Sequence, residues 1–239
     1  MKIYFACPTG ERRDKILNEH GFTFGACLTR DTFNHITARK MDWFYDNGAF
    51  SDWKNNRPFN GQKFIDEMWR IESEMRFGKP LTDETDFSIL KKGEARKHKL
   101  VQPDFVVTPD LPARGNESLM FSRKWIDFLE DRFPFYDYYL AVQDGMDINL
   151  VEDDLFEGRF SGVFVGGTKE WKYKTSSDWV SLAHDCGVKC HIGGVGTRKS
   201  ILWAKSIGAD SVDSGVAMIH PVHLKEVLNI QNDLFWNIA

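Results

Sequence analysis

Short apolar runs rich in β-branched and aromatic residues recur along the chain, near residues 2–6, 22–26, 43–46, 105–108, 139–143, 163–166, 189–193 and 211–213. Their lengths and flanking turn residues predict about eight strands. Between most of them the apolar spacing changes to three and four. Residues 61–77 set Phe64, Ile65, Met68, Ile71 and Met75 on one stripe, and residues 118–132 do the same with Phe121, Trp125, Phe128 and Leu129. Residues 197–207 and 221–230 repeat the helical pattern, the second opening on Pro221, where a first turn tolerates proline. Strands alternating with helices require parallel pairing through crossovers, and eight such units close on themselves. The expectation is an α/β fold, a single-domain (β/α)8 TIM-type barrel covering residues 1–239.

Two stretches break this rhythm. Residues 78–102 are polar, carry Lys91, Lys92, Arg96, Lys97, His98 and Lys99, and are too long for an ordinary connection, so they read as a charged insertion. Residues 29–41, with His35, Thr37 and Arg39, follow no firm period. The 239 residues, 42% of them hydrophobic, suffice for one large core. A net charge of −4 is unlike a polycationic protein, so contact with nucleic acid would need local basic patches. Cys7, Cys27, Cys186 and Cys190 are scattered, without paired metal spacing, and read as reduced thiols. No signal-like or membrane-spanning run is present, which sets a cytoplasmic location with no membrane partner as the expectation.

A parallel barrel carries its active site at the C-terminal ends of its strands. Polar residues end several of the apolar runs: Asp46 in WFYDNGAF, Asp110 in FVVTPD, Gln143 in YYLAVQDG, Gly166 and Gly167 in VFVGG, Gly193 to Gly196 in HIGGVG, and Asp213 in ADSVDSG. These segments, in this order, resemble the tRNA-guanine transglycosylase superfamily. FYDNGAF resembles its aspartate-Ser-Gly-Gly-Phe segment, and VVTPDLP with FSRKWIDF its guanine-reading aspartate and following helix. YLAVQDG resembles its Val-Gln-Gly-Gly, FVGG its base-binding turn, and GGVGTRKSILWAKSIGADSVDS its Gly-Val-Gly-Thr helix and nucleophile strand. The resemblance runs from about Trp43 to Ala217.

The resemblance implies a role for each residue. Asp213 would be the nucleophile that captures the anomeric carbon of the sugar, as in retaining glycosidases. Asp46 would act as general acid/base. Asp110 would accept the ring N–H and exocyclic amine of guanine, with Asn47 assisting. The Gln143 amide and Gly167 N–H would donate to the 6-oxo oxygen, and Gly166 and Gly167 would let backbone approach the ring. Met146 and Phe50 are candidates for stacking on the base. Lys54, Arg57, Lys169, Lys172, Lys174, Arg198 and Lys199 would supply nucleic-acid contacts, with Trp53 and Trp171 interleaved.

The implied activity is pentosyl transfer exchanging guanine for a 7-deazaguanine. The tRNA enzymes of the superfamily carry a cysteine-rich zinc site after the nucleophile, whereas the 26 residues after Asp213 contain no cysteine. With no zinc subdomain, DNA is the expected partner and tRNA the alternative, as in the DNA-modifying transglycosylases of phages and bacteria; host cytoplasm would be the location of a phage-encoded member. Neither a cofactor nor a metal is expected. A homodimer stays open, since dimers are common in the family.

Other readings of the same residues remain. Asp46 before Asn-Gly is a common turn signal, Asp213 a helix cap, Asp110 between prolines part of a rigid loop, and Gln143 a strand-end hydrogen-bonder. Gly194, Gly196, Ser214 and Gly215 would hold a phosphate in a metabolic barrel enzyme acting on a phosphorylated small molecule. A barrel without catalysis that only binds a partner is the third reading. Among His35, His98, His184, His191, His220 and His223 only His191 falls near the barrel mouth.

Overall fold

Alternation along each strand divides the buried side chains into two layers. Trp43 and Tyr45 pack outward with the aliphatic residues of the helices, while Phe44, between them, packs inward with Tyr4, Cys27, Phe105, Val107, Tyr139 and Ala141. The computed structural model describes residues 1–20, 24–77 and 100–232. Its strands are β1 (Lys2–Ala6), β2 (Phe24–Thr29), β3 (Trp43–Asp46), β4 (Val106–Val107), β5 (Tyr138–Val142), β6 (Gly162–Val165), β7 (Lys189–Ile192) and β8 (Ser211–Ser214). Each pairs in parallel with the next, and β8 pairs with β1, so the sheet is a closed eight-stranded barrel. The expected fold class is the observed one.

The helices are α1 (Gly10–His20), α2 (His35–Lys40), α3 (Ala49–Lys54), α4 (Gly61–Phe77), α5 (Gly115–Arg132), α6 (Ile148–Phe156), α7 (Lys169–Asp185), α8 (Arg198–Ser206), α9 (Val216–Ile219) and α10 (Pro221–Leu228). No helix among the described residues is long and apolar enough to cross a membrane.

Aromatic rings fill the barrel. Phe105 stacks on Tyr139 at 4.0 Å and on Phe44 at 4.5 Å, and Phe164 stacks on His191 at 4.8 Å. Rings of this size need small neighbours. A Cβ on Gly162 would lie 2.5 Å from the Tyr139 ring, and one on Gly25 2.4 Å from that of Tyr4. At the N-terminal end, Lys2 bridges Asp42 at 2.8 Å and Asp104 at 2.7 Å, and the Tyr4 hydroxyl donates to Asp104 at 2.6 Å.

Several expectations shift. The second strand, expected at residues 22–26, is Phe24–Thr29, in register with β3 through Ala26 and Trp43. Residues 29–41 resolve into a turn held by Thr29 and Thr32 and the short α2, which Asn34 caps. The aromatic stripe of α5 is a lateral one. Leu119, Ile126 and Leu129 are fully buried, whereas Phe121 and Trp125 pack edge-on against Phe59, and Trp125 also meets Phe64 of α4. Most of the charged insertion, residues 78–99, lies outside the described residues. Its last residues are pinned to the barrel: the Trp43 indole donates to the Val101 carbonyl, and Gln102 to that of Phe135.

Candidate active site

On β3, β5 and β8 the inward face ends in a polar group at the C-terminal mouth. Phe44 is followed two residues on by Asp46, Ala141 by Gln143, and Ser211 by Asp213, so the side chains rising above the aromatic layer are polar. They surround a cavity of ≈ 550 Å³ lined by Asp46, Asn47, Asp110, Gln143, Gly166, Gly167 and Asp213. All seven residues anticipated for chemistry and base binding therefore meet in one place. Val107, Ala141 and Phe164 supply its apolar floor.

Asp110 follows β4 in a loop fastened from α5. The Ser118 hydroxyl accepts from Leu111 N–H at 2.9 Å, and the Ser122 hydroxyl donates to the Pro109 carbonyl at 2.9 Å, both serines being fully buried. The Asp110 carboxylate accepts from Asn47 Nδ2 at 2.7 Å on Oδ1 and from Gln143 Nε2 on Oδ2. Burial raises its pKa to about 7; the Asn47 hydrogen bond opposes this, the Asp46 charge reinforces it, and the Gln143 hydrogen bond opposes it. Asp46 accepts from Gly48 N–H at 2.7 Å. Burial raises its pKa to about 6, with the Gly48 hydrogen bond and Arg30 opposing and Asp213 reinforcing the rise. Arg30 is itself buried and ion-paired with Asp52.

Asn47 is a strut. Its amide nitrogen donates to the Thr108 carbonyl as well as to Asp110, and its oxygen receives the Ala49 N–H. Gln143 holds Asp110 with one N–H and receives Ala113 N–H at 3.4 Å, leaving its second N–H without an acceptor among the described residues. Gly166 makes room for that amide, since a Cβ there would lie 2.7 Å from Gln143 Nε2. Gly167, at φ +76°, sits against Asp144 and Trp171. Asp144 accepts from Thr168 N–H at 2.7 Å and from the Thr168 hydroxyl at 2.5 Å, strapping the β5 loop to the start of α7.

Asp213 is held through one oxygen. Its Oδ1 accepts from Gly194 N–H at 2.9 Å and lies 3.1 Å from His191 Nε2, and Oδ2 has no partner among the described residues. The N–H of Gly194 is thus engaged internally, as is Ser214, whose hydroxyl is buried between the Gly196 carbonyl and Ala217 N–H. Two donors of the anticipated phosphate cradle are occupied in this way.

The basic residues separate into groups. Lys169 and Lys172 line the cavity. Lys172 turns inward, donating to the Gly193 carbonyl at 2.6 Å; burial lowers its pKa against the pull of Asp213 and Asp144. Lys54, Arg57, Arg198 and Lys199 are exposed after β3 and β7 and do not line the cavity; Arg57 pairs with Asp52 at 3.4 Å. Of the stacking candidates, Phe50 and Trp53 stand exposed on the rim with ring centroids 5.6 Å apart. Met146 is buried in the outer core, because the turn after Gln143 carries it away from the mouth, and Trp171 packs beside Trp179 instead of lining the cavity. Sequence reading passed over Phe164 and the Asp144 strap. Their signals were the two-residue alternation along β6 and an aspartate followed by glycine at a strand end.

No family model and no curated protein matches the chain. Among solved structures, RipC from Yersinia pestis is similar over 100% of this chain and 97% of its own length, at 12% sequence identity and a TM-score of 0.48.

Proposed function

We propose that this barrel is a base-exchange transglycosylase that replaces guanine in DNA with a 7-deazaguanine through a covalent aspartyl-sugar intermediate. The observation that carries this reading is the convergence of three carboxylates in unlike environments, Asp46, Asp110 and Asp213, on one cavity beside Gln143 and Gly167. Divergent environments divide chemically similar groups between roles. The sequence resemblance supplies the reaction class and DNA as the polynucleotide.

In this mechanism Asp110, ionised, accepts the ring N–H and exocyclic amine of guanine, a pair of donors found only on guanine-like edges. The remaining Gln143 N–H and the Gly167 N–H donate to the 6-oxo oxygen and stabilise charge developing on the departing purine. A lone pair of Asp213 forms a bond to the anomeric carbon as the bond to N9 breaks, its electrons leaving with the purine, which takes a proton from Asp46. The incoming base then loses its N9 proton to Asp46 while its nitrogen attacks the same carbon and the pair in the Asp213–carbon bond returns to the carboxylate. A pKa of about 6 suits Asp46 to both transfers near neutrality. A duplex target must be flipped out to reach the cavity, and Phe50 and Trp53 offer the rim surface for stacking.

The test is exchange of radiolabelled guanine into guanine-containing DNA, run beside tRNA. Label entering DNA, and lost in Asp213→Ala with base binding retained, is the expected result. Label entering tRNA alone would reassign the polynucleotide, and label entering neither would remove the proposal.

A further inference from the structure

His191 lies directly beneath Asp213. The imidazole is fully buried, does not line the cavity, and is closed in by the rings of Tyr4, Phe44, Phe105 and Phe164 at 4.8 to 5.9 Å. Its two nitrogens meet two residues of β8 on the same inward face, Nδ1 lying 2.9 Å from Ser211 Oγ and Nε2 3.1 Å from Asp213 Oδ1. A carboxylate only accepts, so the proton between Nε2 and Oδ1 resides on Nε2, and Nδ1 of the neutral ring accepts from the Ser211 hydroxyl. Asp213 is thereby held by two donors, one from the ring and one from the Gly194 backbone, both on the same oxygen.

We propose that His191 is a positioning residue that, with Gly194, clamps Oδ1 of Asp213 so that Oδ2 is the oxygen that attacks the sugar. The proposal rests on the transglycosylase reading and adds to it which atom reacts and what aims it. When Oδ2 bonds to the anomeric carbon, Oδ1 becomes the carbonyl oxygen of an acyl-linked sugar and keeps both donors. These same donors favour return of the bonding pair to the carboxylate when the second base attacks. The titratable and charged groups facing the imidazole are Asp213 of β8, Lys172 of α7 and Tyr4 of β1. Burial among the rings lowers the His191 pKa, the hydrogen bond and charge of Asp213 oppose this, and Lys172 adds to it, in keeping with a neutral ring.

The experiment compares wild type, His191→Phe and His191→Gln in the labelled-guanine exchange assay, with equilibrium binding of guanine measured on each. Phenylalanine fits an aromatic cage but has no donor; glutamine keeps an N–H. Since a misplacement of about 1 Å at a reacting group lowers rate about 100-fold, His191→Phe should lose about that factor in kcat while its guanine affinity stays at the wild-type level. His191→Gln should recover part of the rate. Nitrogen NMR of wild type should show His191 as the neutral Nε2–H tautomer, and Asp213→Ala should release that preference. Unchanged kcat in His191→Phe, or an Nδ1–H tautomer in wild type, overturns the positioning role alone. A parallel loss of guanine binding and rate marks a merely structural role and overturns it too. Absence of exchange by wild type overturns the transglycosylase reading and this proposal with it.

Discussion

Asp110 is the residue whose surroundings make the sharpest prediction. With a pKa of about 7 it is partly protonated at neutral pH, yet in the proposed reaction only its ionised form would accept both guanine donors. Guanine affinity should therefore be flat above about pH 7 and weaken about tenfold per unit below it; calorimetric titration across that range checks this. Asp46, Asp110, Gln143 and Asp213 were legible in the sequence because each ends an apolar run, and in a parallel barrel all such ends emerge on one side. Which hydrogen bonds they make was not legible. Asn47 reads in sequence as assisting base binding, but that it does so beside Asp110, to which it donates across 63 residues of chain, was not legible. His191 could be placed at the mouth from its position, whereas its bond to Asp213 depends on the register of β7 with β8.

At the scale of elements, the loop after β4 owes its shape to α5. Removing the Ser122 hydroxyl leaves the buried Pro109 carbonyl without its donor, so Ser122→Ala should lose roughly 1–3 kcal/mol and weaken guanine binding by displacing Asp110. Denaturant unfolding and base titration of the same variant check the two effects together. Gly162→Ala is the corresponding probe of the barrel interior. Its new methyl would lie 2.5 Å from the Tyr139 ring, and forcing extra volume into a packed core is destabilising by about 1–3 kcal/mol. Helix α4 was read from its sequence with its observed bounds, since Phe64, Met68 and Ile71 all face the strands. In α5 periodicity located the helix but mistook its face, because aromatic residues that pack helix against helix follow the same spacing as those that pack against a sheet. Strand β2 slid for a related reason: nearly every residue of it is buried, so no alternation marked its limits.

For the whole molecule, two acids with raised pKa values make stability depend on pH in a defined direction. Asp46 and Asp110 hold protons in the folded chain up to about 6 and about 7, but only to the ordinary aspartate range once unfolded. Their contribution is thus fully present below the unfolded pKa and is lost as pH rises through the folded values. Asp110→Asn, which cannot ionise, should show a smaller fall in Tm between pH 4 and pH 8 than wild type, most visibly above about pH 7. Thermal melts of the two proteins in matched buffers measure the difference.

The plug of Lys2, Asp42, Asp104 and Tyr4, with the rings stacked above it, closes the barrel's far end. Among the described residues the cavity then opens at the mouth, beside Phe50 and Trp53. In the proposed exchange a spent purine would leave by the route its successor takes, so the two bases would occupy the pocket in turn and never side by side. Steady-state kinetics should accordingly give parallel double-reciprocal lines, with free guanine competing against the replacement base.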